Sequence, residues 1–214
     1  MEAINSRDRA LQLLQTYFGY TSFRSAQEAP VESLLKNEDV VAIMPTGAGK
    51  SICFQIPALC KSGLTVVFSP LISLMKDQVD GLVDQNIPAA LINSTLTQTE
   101  FNKTMYDVRS GNIKLLYIAP ERLGSNFFCN VLRSMPISQV IVDEAHCISQ
   151  WGHDFRPEYT QLGGLKAAFP NAPIMALTAT ADYATRQDIL THLKLDNPHK
   201  YIGSFDRPNI RYTL

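Results

Sequence analysis

The octapeptide MPTGAGKS, Met44 to Ser51, follows the apolar run VVAI and leads into ICFQIPAL. A short β-branched run, a glycine pair and a longer apolar segment read as strand, loop and helix. Gly49, Lys50 and Ser51 fit the tail of the phosphate-loop pattern G-x-x-x-x-G-K-[ST], while Met44 stands where its first glycine belongs. In such a loop Thr46, Gly47, Ala48 and Gly49 wrap the phosphates, and the glycines let the backbone come close with its N–H groups turned inward. The helix N-terminus adds positive charge, the Lys50 ammonium meets the β- and γ-phosphates, and the Ser51 hydroxyl is a short ligand suited to Mg²⁺. A glycine turn with an exposed lysine is the plainer alternative. The strand–loop–helix setting speaks against it.

Outward from this loop, short β-rich runs alternate with longer helical ones. Strands are expected at Val40–Met44, Thr65–Phe68, Ala89–Ile92, Leu115–Ile118, Val140–Val142 and Ile174–Leu177. Between them lie helical stretches such as LISLMKDQVDGLVDQ, TQTEFNKTMYDVRS and DYATRQDILTHLKL. Before the loop, Ala10, Leu13, Leu14, Tyr17 and Phe18 recur at helical spacing until Gly19, and a second helix is expected from Ser25 to Lys36, with Pro30 tolerated only in its first turn. The alternation predicts an α/β fold: a three-layer sandwich with six or seven mostly parallel strands, and ligands beyond their carboxyl ends.

The strand VIV delivers Asp143 and Glu144 at such an end. Asp143 reads as the Mg²⁺ ligand through water, and Glu144 as the base that orients and deprotonates an attacking water. Two acids opening a helix would look the same in isolation. With a phosphate loop upstream, the pair reads as the second half of a nucleotide-hydrolysing centre.

The 214 residues suffice for one generous domain or two small ones, with 45% hydrophobic and 18% charged residues. A net charge of −1 excludes a uniformly basic nucleic-acid coat but leaves room for a local basic cleft. The four cysteines form no C-x-x-C pair, the N-terminus is no signal peptide, and no apolar run approaches a membrane span. The expected setting is cytoplasmic, without membrane: nucleoid-associated if bacterial, nuclear if eukaryotic.

TGAGKS together with DEAH resembles the superfamily 2 helicases, in which the first glycine of the loop is commonly replaced. SPLISLMKDQ (Ser69–Gln78), LLYIAPERL (Leu115–Leu123), DEAHCISQWGHDFRPEY (Asp143–Tyr159), ALTATA (Ala176–Ala181) and FDRPNI (Phe205–Ile210) narrow this to a resemblance to the RecQ family of DNA helicases. FGYTSFRSAQ, ahead of the loop, fits as well. The resemblance implies a RecA-like phosphate-loop NTPase fold, with ATP and Mg²⁺ as cofactors and single-stranded and partially duplex DNA as partners, in repair, recombination and replication.

The resemblance also assigns residues. Tyr20, Arg24 and Gln27 take the adenine side, where a ring and a guanidinium can sandwich a base and an amide can read its edge. His146 joins Lys50, Asp143 and Glu144 in the catalytic group. Gln150, Trp151, His153, Phe155 and Arg156 match an aromatic-rich loop that senses single-stranded DNA, the lesser alternative being that Trp151 and Phe155 staple the loop down. Arg156 would pair with phosphate or with a residue near the nucleotide. Thr178 and Thr180 would link the two sites through hydroxyl bonds to Asp143 or His146, or simply cap a helix. Ser69, Lys76, Pro120, Glu121 and Arg122 would line the DNA track and touch mostly phosphate. Neither the spacing of His146, Cys147 and His153 nor the role of their motif reads as a zinc site.

The expected organisation is a helical segment at 1–36, a first RecA-like domain at 37–203, and at 204–214 the start of a linker to a second RecA-like domain outside this chain. Two readings follow. In one the chain is the ATPase half of a 3′-to-5′ helicase, which alone binds nucleotide, hydrolyses it slowly and unwinds nothing. In the other it is a nucleotide- or DNA-binding module without motor activity. A small-molecule kinase fails for want of an arginine-rich lid.

Overall fold

The structure, a computed structural model, describes residues 6–150 and 154–203. Seven strands form one parallel sheet: β1 (Val40–Ile43), β2 (Leu64–Phe68), β3 (Ala89–Ile92), β4 (Leu115–Ile118), β5 (Ile137–Val142), β6 (Ile174–Thr178) and β7 (His199–Ile202). Their spatial order is β3-β4-β2-β5-β6-β1-β7. Six were expected from their apolar runs. The seventh, HKYI, is mostly exposed at the sheet edge, where charge discourages pairing with another chain, and so it carries no apolar signature.

Successive residues of each inner strand feed two different cores. Val66, Phe68, Leu116, Ile118, Val140 and Val142 belong to one, Val67, Leu115, Tyr117 and Ile141 to the other. Helices α1 (Ser6–Phe18), α2 (Ser25–Leu35), α3 (Ile52–Cys60) and α4 (Ile72–Asp84) cover the second face. The first face is closed by α5 (Gln98–Arg109), α6 (Asn126–Arg133), the short α7 (Leu165–Ala168) and α8 (Tyr183–Leu193). Burial on both faces is why the strands read as unbroken hydrophobic runs.

Gly19 ends α1 at φ +74°, its N–H returning to Gln15 O. Pro30 departs from expectation: it is the sixth residue of α2, beyond the first turn. It is buried beside Val31 and Leu34, and this packing holds the helix through one missing N–H donor.

Candidate active site

The strand order sets the geometry. Strand β6 lies between β5 and β1, so the loop after β1, the acids after β5 and the end of β6 share one stretch of the sheet's carboxyl edge. Register keeps them level: Ile43 pairs with Thr178, and Asp143 N–H extends the ladder to Phe68 O at 2.8 Å.

In the phosphate loop, Gly47 and Gly49 adopt φ of +83° and +79°, a region that a side chain disfavours. The amides of Gly47, Gly49, Lys50 and Ser51 donate to nothing among the described residues, which leaves a cradle of free N–H groups at the start of α3. Thr46 is exposed at its rim, while Ala48, Lys50 and Ser51 are half-buried. The loop is gripped from outside by its carbonyls: Arg24 Nη1 donates to Gly47 O at 2.7 Å, and Gln27 Nε2 to Ala48 O and Gly49 O at 3.1 Å each. Gln27 Oε1 accepts from Arg24 N at 2.9 Å, locking the two together. Its amide therefore faces the loop here rather than open space. Tyr20 stands exposed nearby in sequence, 54% accessible. Met44, where a first glycine is usual, is wholly buried, and the Cys53 thiol approaches its sulfur at 3.8 Å.

The acids form a wired cluster. Glu144 sits in the left-handed region at φ +46°, ψ +47°, a conformation worth about 1–3 kcal/mol of strain that the surroundings must hold. Its Oε1 lies 4.0 Å from Lys50 Nζ, and its Oε2 lies 3.3 Å from His146 Nδ1. His146 Nδ1 is also 2.8 Å from Thr178 Oγ1. Thr178 gives its single hydroxyl hydrogen to Thr180 O at 2.8 Å, so the ring nitrogen must be the donor. His146 thus carries its proton on Nδ1, shared between Thr178 and Glu144. Thr180 contributes only backbone, its N–H also reaching Thr178 Oγ1 at 3.2 Å. Of the two expected partners of these threonines, the structure selects His146.

The two carboxyls are pushed apart. The His146 N–H, with help from Lys50 against burial, holds Glu144 below the usual carboxylate range. Desolvation, and then the Glu144 charge, push Asp143 up to about 6. Glu144 is the standing anion, and Asp143 is the group with most to gain from a cation.

The residues expected along a DNA track divide by exposure. Lys76 and Gln150 are exposed, while Glu121, Arg122 and Phe155 are half-buried. Ser69 and Pro120 are buried and present no side chain to solvent, because the turn after β2 and the start of the 120–124 turn pack into the core. Arg122 stacks over Phe101, 5.0 Å from its centroid. Arg156 donates to Pro70 O at 3.2 Å and pairs with Asp154 at 3.4 Å. Trp151 and His153 lie outside the described residues.

Two residues escaped the sequence reading. Tyr159, fully buried, donates from its hydroxyl to Asp143 O at 2.8 Å and so holds the strand end that aims the acids. Asp154 accepts from the Cys147 thiol at 3.6 Å, and burial together with this carboxylate pushes that thiol up to about 12. Both lie within the quoted 143–159 motif, but neither was given a role, since each acts through a contact that only folding creates.

A family model described as DEAD/DEAH box helicase matches residues 24–189. The chain is 60% identical over 208 residues to ATP-dependent DNA helicase RecQ of Pasteurella multocida, covering 97% of this chain and 33% of that protein. It is 58% identical to ATP-dependent DNA helicase RecQ of Haemophilus influenzae, covering 100% of this chain and 35% of the other. The chain thus spans about a third of the length of these curated relatives. Among solved structures, the DNA-bound DUF1998 helicase MrfA aligns with a TM-score of 0.73 at 15% identity, over 94% of this chain and 30% of that one. A hypothetical ATP-dependent RNA helicase from Sulfolobus tokodaii aligns at 0.67 and 20%, over 94% and 57%. These likenesses support the three-layer RecA-like fold. The chain belongs to the DEAD/DEAH box helicase family.

Proposed function

We propose that this chain is the first motor domain of an ATP-dependent DNA helicase of RecQ type, working 3′ to 5′, with residues 37–203 as its RecA-like body, 1–36 as its adenine-side segment and 204–214 as the start of a linker. The observation that carries the reading is the row from four unbonded loop amides through Lys50 to Glu144, His146 and Thr178. ATP phosphates sit in the amide cradle, with Lys50 on the β- and γ-phosphates. Arg24 and Tyr20 flank the base, while Gln27 on the same adenine-side segment fixes the loop through Ala48 O and Gly49 O.

Glu144 takes the proton of the attacking water. Its carboxylate is held in place for this, with Oε2 3.3 Å from His146 Nδ1 and Oε1 4.0 Å from Lys50 Nζ. His146, fixed by Thr178, orients it and, with help from Lys50, keeps it ionised. The residues present fit a magnesium ion: Ser51 and the carboxylate of Asp143, which gives up its proton more readily beside a cation, would hold it, and when bound it supplies charge neutralisation on the phosphates.

Arg24 is committed to the loop carbonyl, and Arg156 to Pro70 and Asp154. Neither is placed as the arginine that stabilises the transferring phosphoryl group, a contribution of about 10³–10⁵ in rate. A second RecA-like domain supplies it, in keeping with a chain a third as long as its relatives. By itself the chain binds ATP–Mg²⁺, turns over slowly and does not unwind. Single-stranded DNA crosses the edge marked by Lys76, Arg122 and the loop holding Gln150, Phe155 and Arg156, in a salt-dependent manner.

The test is equilibrium binding of ATP with Mg²⁺ to the chain and to Lys50→Ala. Removing the cation that meets the phosphates should cost about 2–5 kcal/mol of binding. Equal affinity in both proteins would place the nucleotide elsewhere.

A further inference from the structure

Beside the acid motif, but outside the roles given above, three Lewis-basic atoms converge. His146, Cys147 and Asp154 each offer one ligand atom, and all three lie within 4.8 Å of one another. Cys147 Sγ is 3.6 Å from Asp154 Oδ2, and His146 Nε2 is 3.9 Å from the same oxygen. A tetrahedral zinc-type ion with its ligands at about 2.0–2.3 Å needs ligand atoms about 3.4–3.6 Å apart. Two measured edges of the triangle come within a few tenths of an ångström of that.

A second observation points at the same spot. Because Thr178 takes the His146 hydrogen on Nδ1, the ring turns its other nitrogen, Nε2, toward the Asp154 carboxylate. A histidine whose far nitrogen donates to a neighbouring oxygen, leaving the near nitrogen free, is the arrangement that metal-ligating histidines show. Glu144 Oε2 behind the same N–H strengthens the ring as a ligand.

We propose that His146 Nε2, Cys147 Sγ and Asp154 Oδ2 form a binding site for a soft divalent cation of the zinc class, separate from the magnesium position at Ser51 and Asp143. On binding, the thiol proton leaves to solvent and sulfur bonds to the metal. Thiolate and carboxylate then balance the two positive charges, and water completes the coordination. The half-exposed carboxylate of Asp154, 52% accessible, is the side of entry. The bound ion ties residue 154 to the acid motif. The site stands independently of the function proposed above.

Cobalt(II) titrated into the nucleotide-free chain is the probe, read by its sulfur-to-metal charge-transfer band and displaced by zinc. One equivalent with the band is expected. The band should vanish in Cys147→Ser and persist in Cys60→Ser and Cys129→Ser. Thr178→Val, which frees the ring, should weaken binding about 10- to 100-fold. Should the buried Cys147→Ser not fold, Asp154→Asn at the accessible position decides, with a loss of at least about tenfold expected. Absence of the band in the wild type, its persistence in Cys147→Ser, or equal affinity in Asp154→Asn overturns the proposal.

Discussion

At the end of β1 the backbone amides of four loop positions, Gly47, Gly49, Lys50 and Ser51, are handled quite differently from the groups at the end of β5. Ala48 N–H returns to Pro45 O, and its four neighbours bond to nothing among the described residues. At the end of β5, Asp143, Glu144, His146, Thr178 and Tyr159 are already joined by side-chain contacts. The loop is built to be completed by a ligand, and its conformation is set by glycine backbone and by two side chains gripping its carbonyls. The acid end is preorganised, held in a left-handed turn by hydrogen bonds that exist before any ligand arrives. Binding and chemistry are therefore separable by mutation.

Glu144→Gln makes the sharpest cut between the two ends. Turnover in the presence of the arginine-bearing partner domain should fall about 10²- to 10⁴-fold, while nucleotide affinity changes little. Equal losses in both would mean that the acid end also holds the nucleotide.

The acid end also has a pH signature that the loop lacks. Asp143 is raised from 3.8 to about 6 in the folded, metal-free chain, so folding binds its proton more tightly than the unfolded state does. Stability should therefore decline as pH rises from about 4 to about 6, by up to about 3 kcal/mol. Asp143→Asn should lack that decline in denaturant titrations across the window. Added Mg²⁺ should offset it at neutral pH.

Gly49→Ala probes the loop. A Cβ there meets Gln27 Nε2 at 2.3 Å, and the φ of +79° is unfavourable to any side chain. A stability loss of about 1–3 kcal/mol is expected, together with weaker nucleotide binding. Tyr159→Phe, at the other end, removes the donor to Asp143 O and should cost about 1–2 kcal/mol in stability and lower turnover modestly, without altering binding. A binding loss in Tyr159→Phe would break the separation.

Sequence conveyed the loop, the acids and six strands because each depends on local pattern: glycines at fixed offsets, an apolar run, two acids at a strand end. The RecQ resemblance reached the Thr178–His146 link, although only the structure chose between His146 and Asp143 and fixed the proton on Nδ1. Tyr159 and Asp154 sit in the quoted 143–159 motif, but their contacts were illegible, since the partners are 16 and 7 residues away across turns that no periodicity reports. Strand β7 was hidden by its polar edge composition. Pro30 showed that core packing can override a local helix rule. The burial of Ser69 and Pro120 follows from how their turns fold back, which their motifs do not encode.

The most direct test is steady-state ATP hydrolysis by the chain, with and without single-stranded DNA, at nucleotide concentrations shown to saturate binding. A slow rate that DNA barely changes is expected, because the site is assembled on one side only. Brisk, DNA-stimulated hydrolysis abolished by Glu144→Gln would contradict it, showing that this single domain completes its own catalytic site.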